Sequence, residues 1–183
     1  MGKISNTSKY ATVTPATGDL IVGTDISDSN NTKTFKVGDI AGLTGEHMEY
    51  FAADSGAATT ISNNTSFFLL NATTTSNVSS GNLTHTNNRI TYTGTETKTF
   101  KLVATCNGTT TSNNVIHFAF HKNGTIVASS EQDTKADGTV VLPTAFQCLV
   151  ELATDQYVEV FVKNSTGSNN FTLQHINVIA TEV

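Results

Sequence analysis

His117 and His121 are the residues that most invite a metal in this chain of 183 residues. On a helix, four-residue spacing presents both imidazoles to one ion. The surrounding run NVIHFAFHKNG (114–124) alternates instead. Ile116, Phe118 and Phe120 share one face, and His117, Ala119 and His121 share the other, so the run reads as a strand. Four residues along a strand separate the two rings by about 13 Å, so they cannot chelate one ion within a chain. In a three-fold assembly, one histidine from each chain could meet on the axis and hold a metal or an anion. The same holds for His175. The plainer reading is a polar residue facing solvent or a neighbour.

Other chemistry is thin. Asp25-x-x-Asp28-x-Asn30 is an oxygen-rich turn with too few ligands for calcium, and it reads as a turn that caps its own backbone. No Gly-rich phosphate loop, HExxH, CxxC or GxSxG occurs. The carboxylates sit mainly in turns, and nothing favours one pair of them. The chain is therefore read as non-enzymatic, with no cofactor. Cys106 and Cys148 both fall on the apolar parity of strand patterns. Buried free thiols are the default for a cytoplasmic product, and a disulfide between the two stays open.

These residues need strands to position them, and the composition supplies strands. Charged residues make up only 14%, and Thr, Asn, Ser and Gly fill the gap. Thr prefers extended backbone, whereas Asn and Gly favour turns. The formal net charge of −5 leaves no basic stripe to neutralise phosphates, so no nucleic-acid partner is expected. No apolar run is long enough to span a bilayer, so no membrane is expected either. The first fourteen residues lack the apolar core of a secretory signal, which predicts synthesis in a cytoplasm.

Residues 1–45 form a first segment. GDLIVGTDIS (18–27), a polar turn and TFKVGDIAGL (34–43) read as a β-hairpin. Leu20, Val22, Phe35 and Val37 are too few to bury a core unaided, so the segment should lie against a sister chain, another protein or the downstream domain, and these four are the candidate anchoring residues. Residues 46–58 read as a linker with a short helical turn near Glu46–Phe51. From residue 59 to 183 strand signals recur: TSFFLLNATT, RITYT, TKTFKLVATCNG, NVIHFAFHKNG, TIVASSE, GTVVLP, FQCLVEL, QYVEVFVKN and NFTLQHINVIA. Many short strands without helical interruption indicate an all-β sandwich, with the antiparallel jelly roll as the leading version. In QYVEVFVKN, Val158, Val160 and Val162 alternate with Tyr157 and Phe161. A strand apolar on both faces is buried on both, so the second face should meet another subunit. Tyr157, Phe161, His117 and His121 are thus the expected oligomer interface.

The stretch Lys122-Asn123-Gly124, then GTVVLP, then Leu152 to Asp155 and the Val158–Val162 alternation resembles the globular heads of complement and the tumour necrosis factor superfamily. An apolar last strand, Phe171 to Ala180, adds to the likeness. The resemblance implies a TNF-like jelly roll that forms a homotrimer. It departs at the last strand, where His175 stands in place of aromatics and glycine. Separately, Gly18 to Asp25, Ser27 to Asn30 and Thr34 to Val37 resemble the mounting module of virion structural proteins from tailed phages. Together these imply a bacteriophage capsid decoration, cement or head-fibre protein, located on the virion and bound to the major capsid protein or another virion protein. The alternative is a tail fibre or tail-associated adhesin that binds a host glycan or protein.

Overall fold

The computed structural model describes residues 20–25, 31–36 and 45–183, save residue 112. The chain divides into two compact units, residues 1–44 and 45–183. In the first, β1 (Leu20–Asp25) pairs antiparallel with β2 (Asn31–Lys36). The register sets Phe35 against Ile21, and Leu20 against Lys36. Val37, Asp28 and Asn30 lie outside the described residues.

The described residues of the second unit form thirteen strands. They are β3 (His47–Ala52), β4 (Ala58–Thr59), β5 (Phe68–Leu69), β6 (Thr75–Ser79), β7 (Leu83–Thr86), β8 (Arg89–Tyr92) and β9 (Lys98–Thr109). There follow β10 (Val115–Lys122), β11 (Thr125–Ile126), β12 (Gln132–Asp137), β13 (Val140–Leu152), β14 (Tyr157–Asn164) and β15 (Phe171–Glu182). Their order is β6-β3-β15-β9-β13 in one layer and β12-β10-β14-β8-β7 in the other, with β12 bridging to β13. Every pairing is antiparallel. This is a jelly-roll sandwich.

Period-two alternation builds its core. Phe100, Leu102, Ala104 and Cys106 of β9 face inward, as do Phe146, Cys148, Val150 and Leu152 of β13. From the other layer come Ile116, Phe118 and Phe120, with Val158, Val160 and Val162. Four aromatics lock the layers together. Phe118 stacks on Phe146 at 5.9 Å and meets Phe171 edge-on at 5.3 Å, and Phe120 lies 5.0 Å from Phe146. Such pairs add roughly 0.5–1.5 kcal/mol each beyond their buried area. At Gly108, β9 leaves no room for a side chain beside β15. A Cβ there would lie 2.3 Å from the Thr172 carbonyl oxygen and 2.5 Å from the Phe171 ring.

Three expectations need correcting. Residues 46–58 are not a linker with a helical turn, because β3 pairs with β15 along its whole length. Met48, Tyr50 and Ala52 alternate inward, and apolar Phe51 on the outer face hides that period in the sequence. GTVVLP and FQCLVEL are one strand, β13, whose register shifts between Val141 and Thr144. The bulge accommodates Pro143, which has no amide to give a ladder. TIVASSE is a strand only at Thr125–Ile126 and turns through a 3-10 helix at Ala128–Ser130, after which the chain forms β12.

Cys106 stands opposite Thr144, and Cys148 opposite Leu102. The two are thus offset by four positions along the ladder, roughly 13 Å, and both are buried free thiols. Burial raises both, Cys148 to about 11 and Cys106 further.

Candidate docking surface

The two outer faces of the sandwich differ. On β14 and β10, the aromatics expected to meet a neighbour are covered within the chain. The Arg89 guanidinium lies 3.8 Å above the Tyr157 ring. Phe161 stacks on His121 at 3.8 Å and 8°, and Phe67 meets the same imidazole edge-on at 5.3 Å. His121 is buried. Its Nδ1 lies 3.1 Å from the Gly124 carbonyl oxygen, and burial lowers its pKa. Tyr157 and Phe161 are thus half-buried, and the groups stacked on them are the chain's own Arg89 of β8 and His121 of β10.

His117 sits between Glu131, 2.9 Å from Nδ1, and Ser165 Oγ, 2.9 Å from Nε2. The spacing of Ser165, His117 and Glu131 is that of a hydrolytic triad. The nearby amides are already spent, however. Thr166 and Gly167 N–H both donate to Asn164 Oδ1, and Val115 N–H donates to Thr166 Oγ1. None of these three is left to stabilise an oxyanion. Lys163 shares Glu131 Oε1 at 3.0 Å. The group staples β10 and β14 to the start of β12. His175 lies at the β15 register shift, its Nε2 3.5 Å from Asp54 Oδ1, and is exposed. Among the described residues no three His, Cys, Asp or Glu side chains gather as a metal site would require.

The outer face of the β6-β3-β15-β9-β13 layer is the open one. Register places Val78, Glu49, Ile179, Val103 and Gln147 in one row across five strands. A second row reads Thr75, Phe51, Asn177, Thr105 and Ala145, and a third His47, Thr181, Lys101 and Leu149. Leu149 is 62% exposed, Val78 44%, Ile179 40% and Phe51 38%. Val140 and Leu142 extend the apolar surface along β13. Charge is scarce here and partly tied down. Glu49 accepts from Asn77 Nδ2 at 2.7 Å and from Asn177 Nδ2 at 2.6 Å, and these two bonds hold its carboxyl below the ordinary value. A shallow hollow of about 410 Å³ lies between Phe51, Asn177, Thr105 and Pro143. Sequence reasoning missed this face because most of its strands contribute only one or two apolar residues to it. They become neighbours only through the strand order.

No protein-family model matches the sequence, and no curated protein matches it. Solved structures do match in fold. An Eiger TNF from S. frugiperda aligns at TM-score 0.51 with 8% identity, over 76% of this chain and 93% of that one. Murine APRIL aligns at TM-score 0.47 with 6% identity, over 75% and 98%. PRD1 vertex protein P5 aligns at TM-score 0.46 with 15% identity, over 75% and 96%. The sandwich is a TNF-like jelly roll.

Proposed function

We propose that the chain is a structural protein of a bacteriophage particle. It is a homotrimer joined through the outer face of the β6-β3-β15-β9-β13 layer and fixed to the particle by the hairpin of residues 1–44. The observation that carries this reading is the exposed group Phe51, Val78, Leu149 and Ile179 on one neutral sheet face. Four large apolar side chains exposed on one sheet face mark an interaction surface, and a second and third copy are its occupants. The resemblance to trimeric globular heads supports the stoichiometry, and the resemblance of residues 18–37 to phage mounting modules supports the setting. A decoration or head-fibre protein built this way holds neighbouring capsomers by three weak contacts made at once, so avidity is high while each contact stays modest. Its partner is then the major capsid protein or another virion protein.

Sedimentation of the full chain tests the assembly. A trimer at micromolar concentration is expected, and Leu149→Asp or Ile179→Asp should release monomers, because a charge placed in an apolar interface loses its hydration. A monomeric parent chain would refute the reading. If Phe161→Asp dissociates the trimer and Leu149→Asp does not, the interface lies on the opposite layer, at Tyr157, Phe161, His117 and His121.

A further inference from the structure

Strand β14 changes partner midway. Tyr157 to Glu159 pair with β8, whereas Phe161 and Val162 pair with β5. At the split, the buried Asn88 side chain bridges the gap. Its Nδ2 donates to the Leu70 and Val160 carbonyl oxygens at 3.1 and 2.8 Å, and its Oδ1 accepts from Tyr50 Oη at 2.8 Å. Above this floor opens a cleft of about 560 Å³, walled by Leu69–Ala72 on one side and the Thr86–Arg89 turn on the other, with Glu159 among its lining residues.

The lining is largely polar. Glu159 is 94% buried in the sense that only 6% of it reaches solvent. Its Oε1 accepts from Arg89 Nε at 2.9 Å and lies 2.8 Å from Arg89 Nη2. The guanidinium lies over the Tyr157 ring. That arrangement commits one carboxylate oxygen of a residue that lines the cleft. Asn87, also in the lining, keeps a positive φ of 52°, and its carbonyl oxygen accepts from Thr74 Oγ1, which ties down the turn. Thr86 and Thr91 add hydroxyls, and Leu69, 47% exposed, adds an apolar edge.

A carboxylate that only accepts, a guanidinium that only donates and amides and hydroxyls that do both suit a ligand whose groups also do both. Vicinal sugar hydroxyls are such groups, and the C–H face of a pyranose suits Leu69. The Arg89–Glu159 pair is neutral overall, so it favours an uncharged ligand. We propose that this cleft binds a neutral saccharide. The site lies on the β5-β14-β8 layer, whereas the proposed trimer face belongs to the β6-β3-β15-β9-β13 layer.

The test is a titration of the full chain, followed by amide NMR, with glucose, galactose, mannose, fucose and N-acetylglucosamine separately, and with N-acetylneuraminic acid as the anionic probe. At least one neutral sugar should bind in the millimolar range, with shifts centred on Asn71, Asn87, Arg89 and Thr91. Asn87→Gly keeps the positive φ and removes only the amide, so it should weaken binding about tenfold in a folded protein. Thr86→Val and Glu159→Gln should weaken it as well. Absence of binding by every neutral sugar, preference for the anionic sugar, shifts centred elsewhere, or affinity unchanged in Asn87→Gly would each overturn the proposal.

Discussion

Phe118 has no solvent contact and touches aromatic partners from both β13 and β15. Phe118→Ala should therefore destabilise the sandwich by about 3–5 kcal/mol, read from chemical denaturation. A loss under 1 kcal/mol would mean that the layers close around the vacancy. A second residue-scale device is the clasp at one pole. Lys98 Nζ lies 3.1 Å from both Glu46 Oε1 and Glu182 Oε2, and Glu182 Oε2 also accepts from the Glu46 N–H at 2.9 Å. That N–H first, and Lys98 after it, holds the Glu182 carboxyl below its ordinary 4.5 against the opposing effect of burial. A carboxyl depressed in the folded state stabilises fully above its unfolded value and loses that contribution as pH falls through the folded one. Glu182→Gln should thus be less stable than the parent at neutral pH, and the gap should close in titrations below about pH 4. A constant gap from neutral to acid would refute the linkage. Both cysteines should resist a thiol reagent in the folded chain and react on unfolding, since burial disfavours each thiolate. Rapid labelling of Cys148 in the native state would show that β13 opens.

At the scale of elements, the alternation in β9, β10, β14 and β15 was plain in the sequence, because each strand puts a run of aliphatic or aromatic residues on one parity. The hairpin was legible for the same reason, with a polar turn between two β-branched runs. Strand β3 was not, since in HMEYFA an outward Phe51 breaks the pattern between inward Tyr50 and Ala52. The polar strands β6, β7 and β12 offered little apolar period to read, and Pro143 made one strand look like two. The docking face and the cleft were hidden for another reason. Both depend on which strands lie side by side, and hydrophobic period carries no information about that. The position of β3 has a measurable consequence. A chain of residues 45–183 should unfold cooperatively, whereas residues 59–183 lack Met48 and Tyr50 of the core and leave one edge of β15 unpaired. The shorter chain should lose its sharp thermal transition by circular dichroism. Equal melting temperatures would show that β3 is dispensable.

At the scale of the whole molecule, the division at residues 44 and 45 separates a two-stranded hairpin from a sandwich with a full core. An isolated hairpin is marginal in water, so in the proposed function its stability comes from the surface that it grips. Deleting residues 1–44 should leave the trimer intact by sedimentation yet abolish its binding to phage particles that lack the full-length protein. If the truncated trimer still decorates them, the sandwich is the anchor and the hairpin reaches outward. Labelling on intact particles would then distinguish many copies over the head from a few at the tail.

The clasp also fixes where the backbone enters and leaves the sandwich. Glu182 N–H donates to the Glu46 carbonyl oxygen at 2.8 Å, so the first and last strands of the fold run side by side and end together. The order in which the strands follow one another is therefore separable from the shape that they make. A few glycines and serines joining Val183 to Gly45 would close the backbone into a ring, and a new opening at the exposed Asn123-Gly124 turn would leave every ladder intact. Such a circular permutant should fold to the same sandwich, with its free termini moved to a site of the experimenter's choosing.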